Sequence, residues 1–145
     1  MNLPTDPSQQ STVTPRGAVA IITNRVGDLL LHLRDDLPGI PWAGHWSLLG
    51  GSCEPGELPA QAIARELLEE AELAVDDLIE LFETKDTATS ARKIITFFAG
   101  TWDGEESTLP LAEGVKLQFF APDQLPGLAL PPFIRDGINH YLGGR

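Results

Sequence analysis

Short runs of apolar, often β-branched residues alternate with polar connections along the first third of the chain. Residues 17–24 (GAVAIITN) and 28–36 (DLLLHLRDD) flank a three-residue connection, RVG, and this pattern predicts a β-hairpin. Residues 35–44 carry Pro and Gly at intervals typical of a loop. Residues 45–51 (HWSLLGG) predict a short strand that enters a Gly-Gly turn.

The period of the apolar positions then changes to that of a helix. From Pro59 to about Glu72 the apolar residues fall on one broad arc, and these are Ala60, Ile63, Ala64, Leu67, Leu68 and Ala71. Pro59 suits the first position of a helix. Leu58 precedes it where Ser or Thr would cap the helix better, so we expect a poorly capped start.

The second half of the chain returns to strands and closes with a helix. Strands are predicted over residues 78–84, 93–102 and 115–121, with loops over 87–92 and 103–114. Residues 131–142 (PPFIRDGINHYL) predict a helix that starts at proline and is followed by Gly143-Gly144. This order of elements predicts an α/β sandwich with a mixed sheet and helices on both sides.

Length and composition favour one soluble domain. The chain has 145 residues, of which 42% are hydrophobic and 21% charged. Residues 1–15 are polar and rich in Pro, Ser and Thr, so we predict a disordered tail followed by a single domain over 16–145. No apolar run approaches the length of a membrane helix and no secretory signal is present. Cys53 is the only cysteine, which fits a reducing cytoplasm.

The charge excludes one class of partner and raises a question about one segment. The net charge of −11 makes a nucleic-acid polymer an unfavourable partner, because backbone binding needs a basic surface. Between Glu54 and Glu83 there are ten acidic residues and one basic residue, Arg65. A solvated face usually mixes both signs, so this segment needs a specific cause.

A divalent cation would account for the acidic helix. Glu66, Glu69 and Glu70 fall within about 100° of one another around the helix, at the border of its apolar arc. Carboxylates that converge there repel, and Mg²⁺ or Mn²⁺ would remove the repulsion. Gly50-Gly51 in the preceding loop would let a backbone carbonyl approach the cation closely.

The same glutamates also fit two roles that need no metal, and both stay open. A Glu-rich helix is most often a solvated face. The face could also bind a basic protein, and association would then be sensitive to salt and indifferent to EDTA.

The spacing of the charged residues is more specific than their number. From Gly51 the chain reads Gly, five residues, Glu57, seven residues, Arg65-Glu66, Leu67, one residue, Glu69-Glu70, one residue, Glu72, Leu73. This resembles the Nudix box, Gly-x5-Glu-x7-Arg-Glu-U-x-Glu-Glu-x-Gly-U with U aliphatic, at every position but one. Glu72 replaces the usual glycine, and Leu49 replaces a common proline before Gly-Gly.

The resemblance implies a fold, a reaction and roles for residues. It implies a Nudix-like α/β/α sandwich with a mixed central sheet that hydrolyses a nucleoside diphosphate linked to another moiety X. Glu66, Glu69, Glu70 and the Gly50 carbonyl would hold Mg²⁺ or Mn²⁺. Glu57 is placed to reach back to Arg65 and orient the adjacent Glu66.

The general base is left open between Glu66 and a carboxylate outside the box. Glu113, in the loop before the last predicted strand, is the outside candidate. Its alternative is a solvated turn residue.

Substrate residues are less sharply indicated. Arg34 is a candidate phosphate contact, with a surface ion pair to Asp35 or Asp36 as the favoured alternative. Trp42 or Trp46 is a candidate for stacking on a base, against the commoner role in a core. His32, His45 and Cys53 are interpreted as structural.

The moiety X and the partners are indicated only by absences. Family members that act on ADP-ribose often carry a Pro some fifteen residues beyond the box, and dinucleoside-polyphosphate members a nearby Tyr. Residues 88–93 (ATSARK) contain neither, which favours a nucleoside triphosphate, oxidised or not, or a nucleotide sugar. We therefore expect a small nucleotide as partner, no membrane, and a cytoplasmic location. A homodimer and a non-catalytic nucleotide sensor are the alternatives left open.

Overall fold

The computed structural model describes residues 14–87 and 92–144. Most of the predicted tail therefore lies outside the described residues, as do residues 88–91 of the predicted loop. The strands are β1 (Arg16–Thr23), β2 (Leu29–Leu33), β3 (Trp46–Ser47), β4 (Leu49–Ser52), β5 (Ile79–Asp86), β6 (Lys93–Thr101) and β7 (Lys116–Phe120). The helices are α1 (Pro59–Ala71) and α2 (Pro132–Gly143), with short 3₁₀ turns at Glu106–Thr108 and Pro122–Gly127.

The strands form one mixed sheet, as predicted. Its main order is β3-β2-β1-β6-β5, with β4 paired to β1 and β7 paired to β2. β1 runs parallel to β6 along its whole length, from Arg16 opposite Ile94 to Thr23 opposite Thr101. The other pairs are antiparallel. A helix covers each face of the sheet.

Alternation along the strands divides the apolar residues between two cores. On one face Ala18 and Ala20 of β1 pack with Ile63 and Leu67 of α1. On the other face Ile21 of β1 packs with residues of α2. Successive strand side chains point to opposite faces, so one strand serves both cores. The predicted α/β/α sandwich is confirmed.

The predicted hairpin forms a tight turn, but its two strands pair with each other over a short stretch only. The Asn24 side chain accepts hydrogen bonds from the backbone N–H groups of Val26 and Asp28, at 3.2 and 2.9 Å. β1 and β2 pair only at Thr23 and Leu29, because β1 takes β4 and β6 as its main neighbours. The single strand predicted over 45–51 is in fact two, β3 on β2 and β4 on β1.

Helix α1 ends where the spacing of the box places its glycine. Glu72 adopts a left-handed conformation, with φ 52° and ψ 38°. Its N–H donates to the Leu68 carbonyl at 3.0 Å, and the Leu73 N–H donates to the Leu67 carbonyl at 3.1 Å. Glutamate keeps this helix end at a cost of roughly 1 kcal/mol relative to glycine. At the other end, the Leu58 side chain gives no cap, but Gln61 Oε1 accepts the Leu58 N–H at 2.9 Å.

Candidate active site

Two glycines bring the β4–α1 loop against the sheet and against the helix. Gly50 has φ +150°, and a Cβ there would lie 2.0 Å from the Ala18 carbonyl oxygen. A Cβ on Gly51 would lie 2.6 Å from the Glu66 carboxyl carbon. Any other residue at either position would therefore displace β1 or the Glu66 carboxylate. The Gly-Gly pair is needed for close approach of backbone to backbone and of backbone to carboxylate.

Arg65 ties the loop to the helix. Its Nε and Nη2 donate to the two Glu57 carboxylate oxygens, both at 2.8 Å. Nη1 also donates to Glu66 Oε2 at 2.9 Å, and Nη2 donates to the Ser52 carbonyl at 3.0 Å. Paired fork-to-fork bonds of this kind fix orientation as well as charge. The predicted Glu57–Arg65 pair is confirmed, and it holds Glu66 in place.

The Glu57 carboxylate is strongly stabilised in its charged form. Hydrogen bonds from Arg65 lower the pKa of Glu57 to about 2, and the backbone N–H of Glu54 contributes in the same direction. The hydrogen bond to Glu57 in turn raises the pKa of Arg65. Both groups stay charged across the physiological range, so their pairing is a fixed part of the site.

The charged form of Glu70 is disfavoured, in contrast to that of Glu57. It accepts the Gly50 N–H through Oε1 at 3.0 Å. Loss of hydration by burial raises the pKa of Glu70 to about 7, and the nearby charges of Glu66 and Glu113 act in the same direction against the Gly50 hydrogen bond. A carboxylate that is disfavoured by burial and by neighbouring carboxylates would be stabilised by a cation.

Glu69 is the most exposed of the three glutamates of α1. Its Oε1 accepts from Arg65 Nη1 at 3.0 Å, one turn along the helix, and its side chain is 59% exposed. The same Nη1 donates to Glu66 Oε2 at 2.9 Å, so the Glu66 and Glu69 carboxylates share one donor. Glu66 and Glu70 line the cleft described below, and Glu69 does not. The binding of one cation by all three carboxylates stays a prediction.

A cleft of about 780 Å³ brings together the site residues from distant parts of the chain. Gly50, Glu66, Glu70 and Glu113 all line it. Within residues 14–87 and 92–144, no three His, Cys, Asp or Glu side chains are grouped closely enough to form a metal site as they stand. The donor set nevertheless fits a hard cation, because it consists of carboxylates and a backbone carbonyl. Burial is the largest cause of the raised pKa of Glu70, and a cation bound there would offset the cost of its charged form.

Glu113 is held at the cleft by its backbone. The buried His32 ring donates Nε2–H to the Glu113 carbonyl at 3.1 Å. Burial lowers the pKa of His32, which favours the neutral ring, and its Nε2–H tautomer makes this bond. Gly114 follows with φ +88°, and its N–H donates to Asp35 at 3.2 Å. The structural role predicted for His32 is thus the positioning of the Glu113 loop.

Of the predicted substrate residues, two line the cleft and one does not. Arg34 lines it and donates Nε–H to the Pro41 carbonyl at 2.8 Å. It forms no ion pair with any described residue, which corrects the favoured alternative of a pair with Asp35 or Asp36. Trp42 also lines the cleft.

Trp46 is placed in the packing of the sheet. Its ring meets the Phe120 ring edge-to-face, with centroids 4.7 Å apart, and packs on the α2 side of the core. It is not among the residues that line the cleft. The expectation that Trp46 contacts a substrate is therefore corrected, because cross-strand packing uses its ring.

Comparison with known proteins agrees with this site. The model of the NUDIX domain family matches residues 13–140. The chain belongs to the Nudix family. The box, the loop and the acidic helix described above are thus the Nudix box of this chain, and the chain is a Nudix pyrophosphohydrolase. Nudix hydrolases in general need a divalent metal.

Two curated relatives and one solved structure illustrate the similarity. A putative 8-oxo-dGTP diphosphatase from Bacillus subtilis is 28% identical over 131 residues, which cover 89% of this chain and 80% of that protein. An oxidized purine nucleoside triphosphate hydrolase from Danio rerio is 33% identical over 87 residues, covering 58% and 54%. The crystal structure of a MutT Nudix hydrolase from Burkholderia pseudomallei has a TM-score of 0.72 and 27% identity, covering 86% and 95%.

The Nudix cleft also contains residues that sequence reasoning missed. Asp86 and Lys93 line it from the adjoining ends of β5 and β6, where they are opposite one another in register. Ser47 of β3 lines it as well. Nothing in the linear pattern marks these residues, because their proximity depends on strand pairing across a connection.

No helix among the described residues is long and apolar enough to cross a membrane.

Proposed function

We propose that this Nudix hydrolase depends on Mg²⁺ or Mn²⁺ and cleaves nucleoside triphosphates, with an oxidised purine nucleoside triphosphate as its preferred substrate. The observation that carries the proposal is the meeting of Glu66, Glu70, Glu113 and Gly50 at one cleft. The names of the two curated relatives support the choice of substrate class. A small nucleotide is accordingly the expected partner.

The metal would be held where the buried charge is least compensated. Glu66, Glu70 and the Gly50 carbonyl are the proposed ligands, and Arg65 with Glu57 orients Glu66. Glu69 remains available as a further ligand, because an exposed i,i+4 ion pair with Arg65 is worth only about 0.3–0.5 kcal/mol. When bound, the cation would neutralise the substrate's phosphates and polarise the attacking water.

The reaction proposed is addition of water to phosphorus. The water oxygen bonds to phosphorus, a phosphoanhydride P–O bond breaks, and the products are a nucleoside monophosphate and pyrophosphate. The proton leaving the water needs an acceptor at the cleft. Glu113 is the proposed general base, because it reaches the cleft from outside the box while Glu66 is bonded to Arg65.

Replacement of the proposed base should affect turnover more than substrate binding. We expect Glu113→Gln to lower kcat by about 10²–10⁴-fold with a smaller change in KM, because a general base acts in the transition state. The matched control is Glu105→Gln, which neutralises an exposed acid of the same loop that does not line the cleft. Steady-state rates measure both. Equal rates in the two variants would leave Glu113 as a solvated turn residue.

A panel of nucleotides tests the proposed function, with chromatography of the nucleoside monophosphate that cleavage of every member would release. The panel contains 8-oxo-dGTP, dGTP, dATP, ADP-ribose and a nucleotide sugar, each with Mg²⁺. We expect the highest kcat/KM for the oxidised triphosphate, with pyrophosphate released. A preference for ADP-ribose or for the sugar would overturn the substrate class. Binding without hydrolysis of any member would favour the nucleotide-sensor alternative.

A further inference from the structure

We propose that Lys93 is a substrate-binding residue of this enzyme, and that its ammonium group contacts the phosphates of the nucleotide. This inference rests on the proposed function, because it assumes a nucleoside triphosphate in the cleft. It assigns a role to a residue outside the Nudix box. It also identifies a second structural unit, made of Gly17, Ser52 and Lys93, that delivers a positive charge into an otherwise acidic site.

The structure holds the Lys93 side chain along a defined course. Lys93 begins β6 and lines the cleft. Its Nζ donates to Ser52 Oγ at 2.5 Å. On the way it passes over Gly17, where a Cβ would lie only 2.9 Å from Lys93 Cε. A flexible lysine is rarely confined by chance, because its ordering costs about 1.5–2 kcal/mol of rotamer entropy.

The end point of that course is next to the proposed metal loop. Ser52 directly follows Gly50-Gly51. Its carbonyl accepts from Arg65 Nη2 at 3.0 Å, so its backbone is fixed to the same arginine that orients Glu66. Lys93 and the proposed metal ligands Gly50, Glu66 and Glu70 line one cleft, in which a triphosphate would bind. A compact ammonium with three donors suits a phosphate oxygen at such a position.

The charge of the cleft requires such a group. Five of the described carboxylate residues line it, namely Asp35, Glu66, Glu70, Asp86 and Glu113. Only two cationic side chains among the described residues do so, Arg34 and Lys93. Arg65 pairs with Glu66, but Glu70, Glu113 and the several negative charges of a triphosphate would leave an excess of negative charge at the cleft. The Lys93 ammonium on β6 reduces this excess, and it does not compete with the metal for the glutamates of the box.

The decisive comparison is Lys93→Met against Lys85→Met in the Mg²⁺-loaded enzyme. Lys85 is exposed, lies on the neighbouring strand and does not line the cleft, so its replacement removes the same charge from outside the site. We expect Lys93→Met to raise the KM for the triphosphate about 10- to 100-fold, as loss of a charge-assisted contact should. Lys85→Met should change the KM less than about twofold.

A binding measurement separates this role from a structural one. Calorimetry with a non-hydrolysable nucleoside triphosphate should show the same loss of about 10- to 100-fold for Lys93→Met, and a smaller loss for the corresponding nucleoside, which has no phosphate. Lys93→Arg should recover part of the affinity, because the charge remains. Equal losses for the triphosphate and the nucleoside, or no recovery with arginine, would overturn the phosphate contact.

One further variant tests the course of the side chain. Ser52→Ala removes the hydroxyl that receives the ammonium. It should weaken triphosphate binding in the same direction as Lys93→Met, and it should not add to that loss in a double variant. Additive losses would contradict a contact between Lys93 and Ser52 that serves binding. If the wild type hydrolyses no triphosphate, the proposed function itself is wrong. If the wild type hydrolyses triphosphates but Lys93→Met and Lys85→Met have the same KM, only the role of Lys93 is wrong.

Discussion

Glu70→Gln is expected to abolish metal-supported hydrolysis and, in EDTA at pH 8, to raise the melting temperature. Activity should fall by at least about 10²-fold, since loss of a group that merely supports a metal ligand already costs about 10- to 100-fold. The gain in stability follows from burial. Glu70 is a carboxylate whose hydration is lost in the fold, and glutamine preserves its shape and its acceptor for the Gly50 N–H.

The effect on stability has a defined pH dependence. The folded-state pKa of Glu70 is raised to about 7, above the unfolded value near 4.5. The folded protein therefore binds the proton more tightly, and ionisation costs stability progressively as pH rises from about 4.5 to 7. The metal-free wild type bears nearly all of this cost at pH 8 and about a quarter of it at pH 5. Thermal melts in EDTA should thus separate the variant from the wild type widely at pH 8 and much less at pH 5.

Glu69→Gln is the matched variant one residue away. Glu69 is exposed and paired with Arg65, so its neutralisation should lower the metal-free melting temperature slightly at either pH. The two glutamine variants are therefore expected to shift the metal-free protein in opposite directions. A wild-type rate in Glu70→Gln, or a melting temperature below that of the wild type in EDTA at pH 8, would contradict the account of Glu70.

Gly50→Ala is expected to destabilise the whole domain. A Cβ at this position would lie 2.0 Å from the Ala18 carbonyl oxygen and 2.7 Å from Val19 Cα, in a backbone conformation that side chains rarely adopt. Both contacts are with the backbone of β1, a central strand that cannot move without disturbing the sheet. We expect a loss of about 3–5 kcal/mol, from strain and overpacking together.

Thermal or urea unfolding measures this loss, which corresponds to a melting temperature lower by about 10 °C for a domain of this size. The matched control is Gly127→Ala, because no heavy atom lies within 4 Å of a Cβ there and its φ is not positive. The control should melt within about 2 °C of the wild type. If Gly50→Ala were as stable as the control, the close approach of β4 to β1 would be wrong.

Local patterns predicted the fold because they depend on residues near one another in sequence. The order of the elements predicts helices on both sides of the sheet, and a core exists on each face. The arc of α1 predicts its buried side, and the positive φ of Glu72 appears where the family pattern has glycine. The Glu57–Arg65 pair followed from its spacing. In each case short-range geometry is enough to decide the outcome.

The parts that failed depend on distant pairing or on competition. The parallel match of β1 with β6 and the split of residues 45–51 into two strands are set by tertiary partners. Lys93 and Asp86 reach the cleft only through the register of β5 and β6. Glu69 has the spacing of a ligand, yet its side chain is exposed and bonded to Arg65. Helical spacing predicts on which face of the helix a side chain lies, but it does not predict which group that side chain contacts.

The most direct test of the central claim is the rate of nucleoside monophosphate release by one wild-type sample, measured with Mg²⁺, then with excess EDTA, then with Mg²⁺ restored in excess. The substrate is the nucleotide that the panel shows to be preferred. If Glu66, Glu70 and Gly50 hold a catalytic cation, the rate should fall to background in EDTA and return fully when Mg²⁺ is restored. Undiminished turnover in EDTA would contradict a metal-dependent reaction at this cleft.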